Sequence, residues 1–228
     1  MWLINSSIGR KVVMSVTGIC LILFLTFHCC MNVVALFSGE GYNWICEMLG
    51  ANWYAVAATM GLALLAALHI FFAFWLTMQN RKARGNERYD VTERRSEVSW
   101  ASQNMLVLGI IILIGLLIHL YDFWYNMMFA ELFPSIHYDA APADGFGKIV
   151  ATFGNPVKVV LYVIWIVAIW FHLSHGFWSA LHTLGWSGKI WQKRWQCIGL
   201  IYVTILMAMF LIVVLAFAFK LAPSLCVA

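Results

Sequence analysis

The chain has few charged residues and few residues that break helices. Asp, Glu, Lys and Arg make up 11% of its 228 residues, whereas soluble domains carry about 25%. It has only four prolines, no linker rich in Pro, Gly or Ser, and no internal repeat. These absences exclude an ordinary water-soluble domain, and they favour one continuous domain over residues 1–228.

The chain contains long stretches without any charged residue. Five of them, each at least 24 residues long, contain no Asp, Glu, Lys or Arg: Val12–Phe37, Ala51–Asn80, Val98–Tyr121, Val159–Gly188 and Trp195–Phe219. About 20 apolar residues cross a bilayer as a helix that satisfies its own backbone hydrogen bonds. The pattern therefore predicts an all-α integral membrane protein with spans at about 12–37, 51–80, 98–127, 156–188 and 195–220. The first run exceeds the 7–15 residue core of a signal peptide, so we expect it to be retained.

Basic residues are concentrated on one side of the predicted membrane. Of 14 Lys and Arg, 11 fall in three segments that alternating spans put on the same side: Arg10 and Lys11; Arg81, Lys82, Arg84, Arg88, Arg94 and Arg95; Lys189, Lys193 and Arg194. Positive residues favour the cytoplasmic side. We therefore expect a multi-pass protein of the bacterial inner membrane with a cytoplasmic N-terminus. Topology explains the basic clusters, and no nucleic-acid partner is expected.

Cysteine provides no recognisable site. The six cysteines lack the spacing of a zinc site or of a disulfide framework, and there is no Cys-x-x-Cys-His motif for covalent haem attachment. Most of them lie within or beside the predicted spans, where cysteine behaves as a small apolar residue.

Histidine is the residue type that indicates function. Six of the seven histidines lie inside predicted spans, and only His137 lies in a loop: His28, His69, His119, His172, His175 and His182. Ionisable side chains inside lipid are costly and are usually functional. A single buried histidine is more often a hydrogen-bonded contact between helices than a ligand. Four helices that each contribute one histidine favour a cofactor.

Four of these histidines sort into two levels when residues are counted from the outer end of each span. With a rise of about 1.5 Å per residue, His69 and His172 lie roughly 25 Å below the outer surface, and His28 and His119 roughly 15–18 Å below it. The levels are then about 7–10 Å apart. Two b-type haems, each held between imidazoles of two helices in a bundle interior, need such a layout.

We therefore predict that spans one to four form a haem-binding bundle. One haem iron would be held by His28 and His119, and the other by His69 and His172. Span five contains no histidine, which fits this arrangement.

The intramembrane histidines also have alternative interpretations. His175 is a hydrogen-bonding neighbour in the favoured interpretation and a ligand in the alternative one, and His182 is placed to meet a haem propionate. Zinc needs tetrahedral N and S ligands close together, which two separate histidine pairs do not supply. A proton path would need a chain of intramembrane carboxylates, and only Asp122 approaches that.

The segments around the histidines resemble those of a known family. The matching features are Phe27-His28 followed by Asn32, His69 in the second span, Ile118-His119 after Trp100, and the stretch from Phe171 through His172-Leu-Ser-His-Gly-Phe-Trp-Ser, which is close to a His-x-Ser-x-Gly-x-Trp-Ser pattern. Over nearly its whole length the chain resembles the cytochrome b subunit of succinate:menaquinone oxidoreductases and fumarate reductases, of the single-chain type with five helices and two haems.

The resemblance implies a membrane anchor that passes electrons between an iron–sulfur subunit and membrane quinone, with menaquinone favoured over ubiquinone. The iron–sulfur subunit and a flavoprotein subunit, which holds the dicarboxylate site, would dock on the cytoplasmic face. His69 and His172 would hold the proximal haem, and His28 and His119 the distal haem near the quinone. Relatives often form dimers of the whole complex.

Further site residues follow only from the resemblance. Ser15 matches a family position that contacts a haem propionate, and Trp100 and Lys189 are weaker candidates for such a contact. Glu47 is the nearest match to a carboxylate that assists quinone protonation in some relatives, with Glu40 and Asp122 as alternatives. Each of these three acids is more often an ordinary loop residue.

One position departs from the family pattern. Some members carry a Glu two residues before the fourth ligand, proposed as a transmembrane proton route, where this chain has Trp170. We therefore expect electron transfer across the membrane to be electrogenic. Two other interpretations stay open: the cytochrome b subunit of a different respiratory enzyme, such as a formate dehydrogenase or hydrogenase, and a transporter or scaffold without haem.

Overall fold

The computed structural model describes residues 6–84, 100–135 and 141–226, and these residues form helices with no strand among them. The α-helices are α1 (Ser7–Phe37), α2 (Gly39–Met48), α3 (Trp53–Arg84), α4 (Trp100–Gln103), α5 (Met105–His119), α6 (Ala130–Leu132), α7 (Gly145–Phe153), α8 (Pro156–Thr183) and α9 (Lys189–Ala218). A π-helix over Leu120–Phe129 joins α5 to α6, and a 3-10 helix over Pro223–Cys226 follows α9. His137 and most of the expected charged loop at 81–97 lie outside the described residues.

Five helical segments are long and apolar enough to cross a membrane, which confirms the predicted fold class: Ser7–Phe37, Trp53–Ala83, Met105–Leu132, Pro156–Thr183 and Lys189–Cys226. The chain is therefore a multi-pass membrane protein. The fourth segment ends at Thr183 rather than near residue 188, because Gly185, with φ of 84°, turns the chain. The fifth begins at Lys189 rather than near residue 195. Its first turns carry Lys189, Lys193 and Arg194, so a span defined as a stretch without charged residues begins too late.

Local sequence explains where several helices begin. The Ser6 hydroxyl accepts a hydrogen bond from the Gly9 amide at 2.9 Å and so caps α1. The Asn155 side chain caps α8 in the same way. Pro156 occupies the first helical position, where a backbone N–H would have no hydrogen-bond partner within the helix, so proline is well tolerated there.

Four of the long helices form a bundle, and the fifth supports it. Helix α1 packs along α3 and α8, while α8 also packs along α5 and α9. Helices α1 and α5 do not pack along each other, and neither do α3 and α8. These two pairs are therefore the diagonals of the bundle.

The two ends of the bundle differ in charge and covering. We call the end that carries Arg10, Lys11, Lys189, Lys193 and Arg194 the basic end. The opposite end, here called the capped end, is covered by α2 and by α7, which lies in the loop after the third span. Ile149 and Phe153 of α7 are buried in the main core.

Helix α9 is a packing element. Its buried residues, among them Val203, Leu206 and Val214, form the main core together with residues of α1 and α8. The indole N–H of Trp170 donates to the Thr204 hydroxyl at 2.9 Å and ties α8 to α9. Trp170 is thus used for helix packing.

Candidate functional site

The first histidine pair lies nearer the capped end. The rings of His28 on α1 and His119 on α5 are 5.7 Å apart between centroids and stand edge to face at 84°. Aromatic rings surround them: Phe24 stacks on His28 at 5.5 Å, and Trp165 lies 5.4 Å from His119. Phe210 of α9 is 6.0 Å from His28. This aromatic shell keeps the pair in apolar surroundings.

The second pair lies nearer the basic end. The rings of His69 on α3 and His172 on α8 are 6.4 Å apart, with an angle of 67° between their planes. His69 Nδ1 lies 3.2 Å from the hydroxyl of Thr17, a buried residue of α1. The structure thus brings together the same two pairs that the sequence pairs, and their role as haem ligands stays a prediction.

Each pair spans a diagonal of the bundle. His28 and His119 connect α1 to α5, and His69 and His172 connect α3 to α8, although the helices of each diagonal do not pack along each other. Along α1, Thr17 contacts His69 and precedes His28 by eleven residues, a rise of roughly 16 Å. This separation exceeds the expected 7–10 Å. The expected value came from counting residues inward from the outer end of each span, which assumes that all these ends lie at the same depth.

The two rings of each pair lie close enough to hold one group between them. An imidazole nitrogen binds a metal at about 2 Å, so two imidazoles that share a metal must face each other at short range. The rings of the two pairs do so, with centroids 5.7 and 6.4 Å apart.

Unpartnered nitrogens are a second sign that the pairs accept a further group. Nδ1 of His119 and Nδ1 of His172, one in each pair, are buried and have no hydrogen-bond partner among the described residues. Such orphaned groups are rare in folded proteins. Beside His172, a Cβ added at Gly176 would meet no atom within 4 Å, so the helix face one turn further on borders open space. The residues present therefore fit haem.

A metal centre built from protein side chains alone is not present in the part of the chain that the structure describes. Residues 6–84, 100–135 and 141–226 contain no group of three or more His, Cys, Asp or Glu side chains that could hold a metal ion. A zinc centre needs such a group, whereas a haem needs only axial ligands from the protein.

The remaining cofactor candidates lie in the half of the bundle towards the basic end, and the structure shows no hydrogen bond or ring contact between them and His69 or His172 among the described residues. Ser15 is buried on α1, two residues before Thr17. The Trp100 ring lies 5.1 Å from Phe171, the neighbour of His172. Three further candidates lie in or beside α8 and α9: His175 packs on Trp178 at 4.9 Å, His182 is exposed with Nδ1 3.1 Å from the Ser187 hydroxyl, and Lys189 is exposed at the start of α9.

The candidate quinone acids lie at the capped end. Glu47 on α2 is exposed and lines an open cavity of about 570 Å³ together with Trp44, Asn52 and Glu131. Glu131 also accepts a hydrogen bond from the Ala51 amide at 2.8 Å, which joins the third span to the turn after α2. Glu40 borders a neighbouring cavity of about 430 Å³.

Asp122, the remaining acid, has a different environment. It lies in the π-helix directly after α5, and its carboxylate receives the Lys158 ammonium at 2.6 Å and the Tyr162 hydroxyl at 3.1 Å. The sequence alone does not bring Asp122 and Lys158 together, since 36 positions separate them. Their opposite charges near the same end of two spans were the available signal.

A hydrogen-bonded chain connects His28 to the cap. The Asn32 amide donates to the His28 carbonyl at 2.8 Å and lies 3.3 Å from His28 Nε2, and the Tyr42 hydroxyl donates to the Asn32 carbonyl oxygen at 3.2 Å. Burial raises the pKa of the Tyr42 hydroxyl, and the neighbouring Cys46 raises it further. Within the cap, burial also lowers the pKa of Lys148, against the opposing effect of Asp144.

The thiol of Cys46 provides a test of this cap. Burial raises its pKa to about 11, and since the thiolate is the nucleophile, alkylation of Cys46 at pH 8 should be much slower than alkylation of the exposed Cys226. The rate should climb as the pH approaches 11. Mass-spectrometric labelling with iodoacetamide measures both sites, and equal rates in the folded chain would contradict the buried position of Cys46.

Comparisons with family models, with curated proteins and with solved structures find no match to this chain. The arrangement of the side chains and the residues of the sequence are therefore the grounds for a function.

Proposed function

We propose that the chain is the membrane anchor and electron-transfer subunit of a succinate dehydrogenase or fumarate reductase, with two b-type haems between an iron–sulfur partner and membrane quinone. The single observation that supports this most is the pair of histidine couples, each across one diagonal of the bundle and at separate depths. A transporter or scaffold has no need for four imidazoles in two facing couples.

The chain's own residues would hold and shield the cofactor. His69 and His172 would be the axial ligands at the basic-end level, and His28 and His119 those at the capped-end level. Bound haem supplies one-electron redox chemistry, with a potential set by its ligands, hydrogen bonds and burial. The aromatic shell of Phe24, Trp165 and Phe210 would exclude water, which keeps electrostatic effects around the site strong.

The charge of the two ends supports an orientation. Since positive residues favour the cytoplasm, the basic end and the N-terminus would face the cytoplasm of a bacterium. The flavoprotein and iron–sulfur subunits would dock there, with the dicarboxylate reacting on the flavoprotein. Quinone, menaquinone by the resemblance, would react at the capped end, where Glu47 lines the cavity of about 570 Å³. The whole complex would form a dimer.

The proposal is tested by haem content. A dithionite-reduced minus oxidised spectrum of the purified chain should show two b-type haems per polypeptide. Changing His28, His69, His119 or His172 to Ala should each remove about half of the haem, because a haem with one remaining axial ligand is held weakly. The matched control is His175→Ala, which removes an intramembrane imidazole outside the two couples and should leave both haems bound.

Two outcomes would contradict the proposal. A well-folded wild-type preparation without haem would leave the transporter or scaffold interpretation standing. Two haems that succinate fails to reduce in a mildly solubilised complex, with formate or hydrogen reducing them instead, would identify the other respiratory class.

A further inference from the structure

Thr17 makes three polar contacts from the interior of the bundle. It is only 3% exposed, and its hydroxyl oxygen lies 2.8 Å from the Val13 carbonyl and 3.1 Å from the Met14 carbonyl on its own helix. The third contact crosses to α3, where His69 Nδ1 lies 3.2 Å away. Thr17 is therefore the link between α1 and the imidazole of the basic-end couple.

The carbonyl acceptors around the Thr17 hydroxyl favour one direction for this link, with the His69 imidazole as the donor. A threonine hydroxyl has one hydrogen to donate, and a carbonyl oxygen can only accept. When that hydrogen points to the Val13 carbonyl, the Thr17 oxygen becomes an acceptor, and His69 Nδ1 must carry a proton to donate to it. The other ring nitrogen, Nε2, then has a free lone pair, which is the form in which imidazole binds a metal.

The neighbouring residue fixes the position of the ring. A Cβ added at Gly18 would lie 3.3 Å from His69 Cε1 and 3.7 Å from Nδ1, so the imidazole rests against a residue without a side chain. Thr17 and Gly18 together restrict both the rotation of the ring and its distance from α1. The opposing His172 has no such support, since its Nδ1 has no hydrogen-bond partner in the described part of the chain.

We propose that Thr17 is a positioning residue for the cofactor at the basic-end level: it holds His69 in the tautomer that binds metal through Nε2 and strengthens it as an electron donor to the metal. This inference rests on the proposed haem function. Hydrogen bonds to the remote nitrogen of a ligating histidine fix its orientation and raise its basicity, and their loss typically costs 10–100-fold in metal affinity or activity.

The test replaces the hydroxyl while keeping the shape of the side chain. In Thr17→Val we expect the haem at the basic-end level to bind 10–100-fold more weakly. Its midpoint potential should also rise, because a His69 imidazole that donates electrons less strongly stabilises ferric iron less. The haem of the other level should keep its potential. Thr17→Ser, which restores an acceptor, should restore both properties. A matched control is Thr183→Val, which removes a hydroxyl that likewise donates to a carbonyl four residues earlier, that of Ser179.

Spectroelectrochemical titration separates the two haems and decides the question. If Thr17→Val leaves both potentials and the haem content of the wild type unchanged, or if Thr17→Ser behaves like Thr17→Val, the positioning role is wrong. A wild type without haem would overturn the proposed function instead, and the inference would then be decided by ¹⁵N NMR of the His69 imidazole. The Nδ1–H tautomer is expected in the wild type, and an Nε2–H tautomer would overturn the inference.

Discussion

Replacing Lys158 by Met is expected to destabilise the bundle by about 3 kcal/mol, because it leaves the Asp122 carboxylate buried without its cation. The Asp122 side chain is 7% exposed and that of Lys158 30% exposed, so the pair is only partly solvated. Breaking a buried pair typically costs about 3–5 kcal/mol, and the remaining exposure of Lys158 argues for the lower end.

A double-mutant cycle isolates the charge effect. Asp122→Asn keeps an acceptor for the Tyr162 hydroxyl, and combined with Lys158→Met it removes both charges at once. The double variant should therefore recover most of the lost stability, since replacing a buried pair as a whole is often close to neutral. Unfolding in a detergent–denaturant titration measures all four states, with Lys193→Met as an exposed control that should change stability by less than about 0.5 kcal/mol. A Lys158→Met variant as stable as the wild type would show that the ion pair is solvated.

The ion pair also connects to the histidine couple at the capped end. Tyr162 donates to Asp122, and its ring lies 6.2 Å from the ring of His119. Asp122 itself follows His119 by three residues, within the π-helix that begins at Leu120. π-helical segments occur frequently at functional sites. The pair therefore holds the π-helix against α8 next to the proposed ligand, a role distinct from the quinone chemistry considered for Asp122.

The membrane fold could be predicted from the sequence because its main determinant is local. A run of about 20 residues without charge suffices to define a span, so hydropathy along the chain gives the number of helices. The pairing of the histidines was also within reach, since residues at a similar depth can meet, and depth follows from the position of each residue in its span. The ends of several helices, such as Thr183 and Lys189, differ from expectation because turns and charges decide them, and the two histidine levels are further apart than expected.

Contacts that depend on helix rotation could not be predicted in this way. Thr17 meets His69 across 52 positions of sequence, and Asp122 meets Lys158 across 36. Whether two such residues face each other depends on how α1 is turned against α3, or α5 against α8. Hydropathy indicates the depth of a residue but not how its helix is rotated about its axis. The sequence therefore does not distinguish Thr17 from any other threonine in a span, or Lys158 from any other lysine at a helix start.

Changing Gly115 to Ala is expected to destabilise the protein by about 2–3 kcal/mol, as overpacking does. A Cβ at Gly115 would overlap the indole of Trp165, which packs across the contact between α5 and α8. The indole N–H donates to the Ile112 carbonyl at 3.0 Å, so displacing the ring would also break a buried hydrogen bond. The Trp165 ring lies 5.4 Å from the His119 ring. The variant should therefore lose more haem at the capped-end level than at the basic-end level.

Gly109 is the matched control on the same helix. A Cβ there would meet no atom within 4 Å, so Gly109→Ala should be neutral or should stabilise the helix by about 0.5–1 kcal/mol through the loss of glycine's flexibility. Thermal unfolding in detergent, with the haem spectrum recorded on the same samples, compares the two variants. Equal behaviour would mean that α5 and α8 are not in close contact at Gly115. A loss of stability and capped-end haem in Gly115→Ala alone would instead show that the close packing of Trp165 on α5 maintains the His119 side of the site.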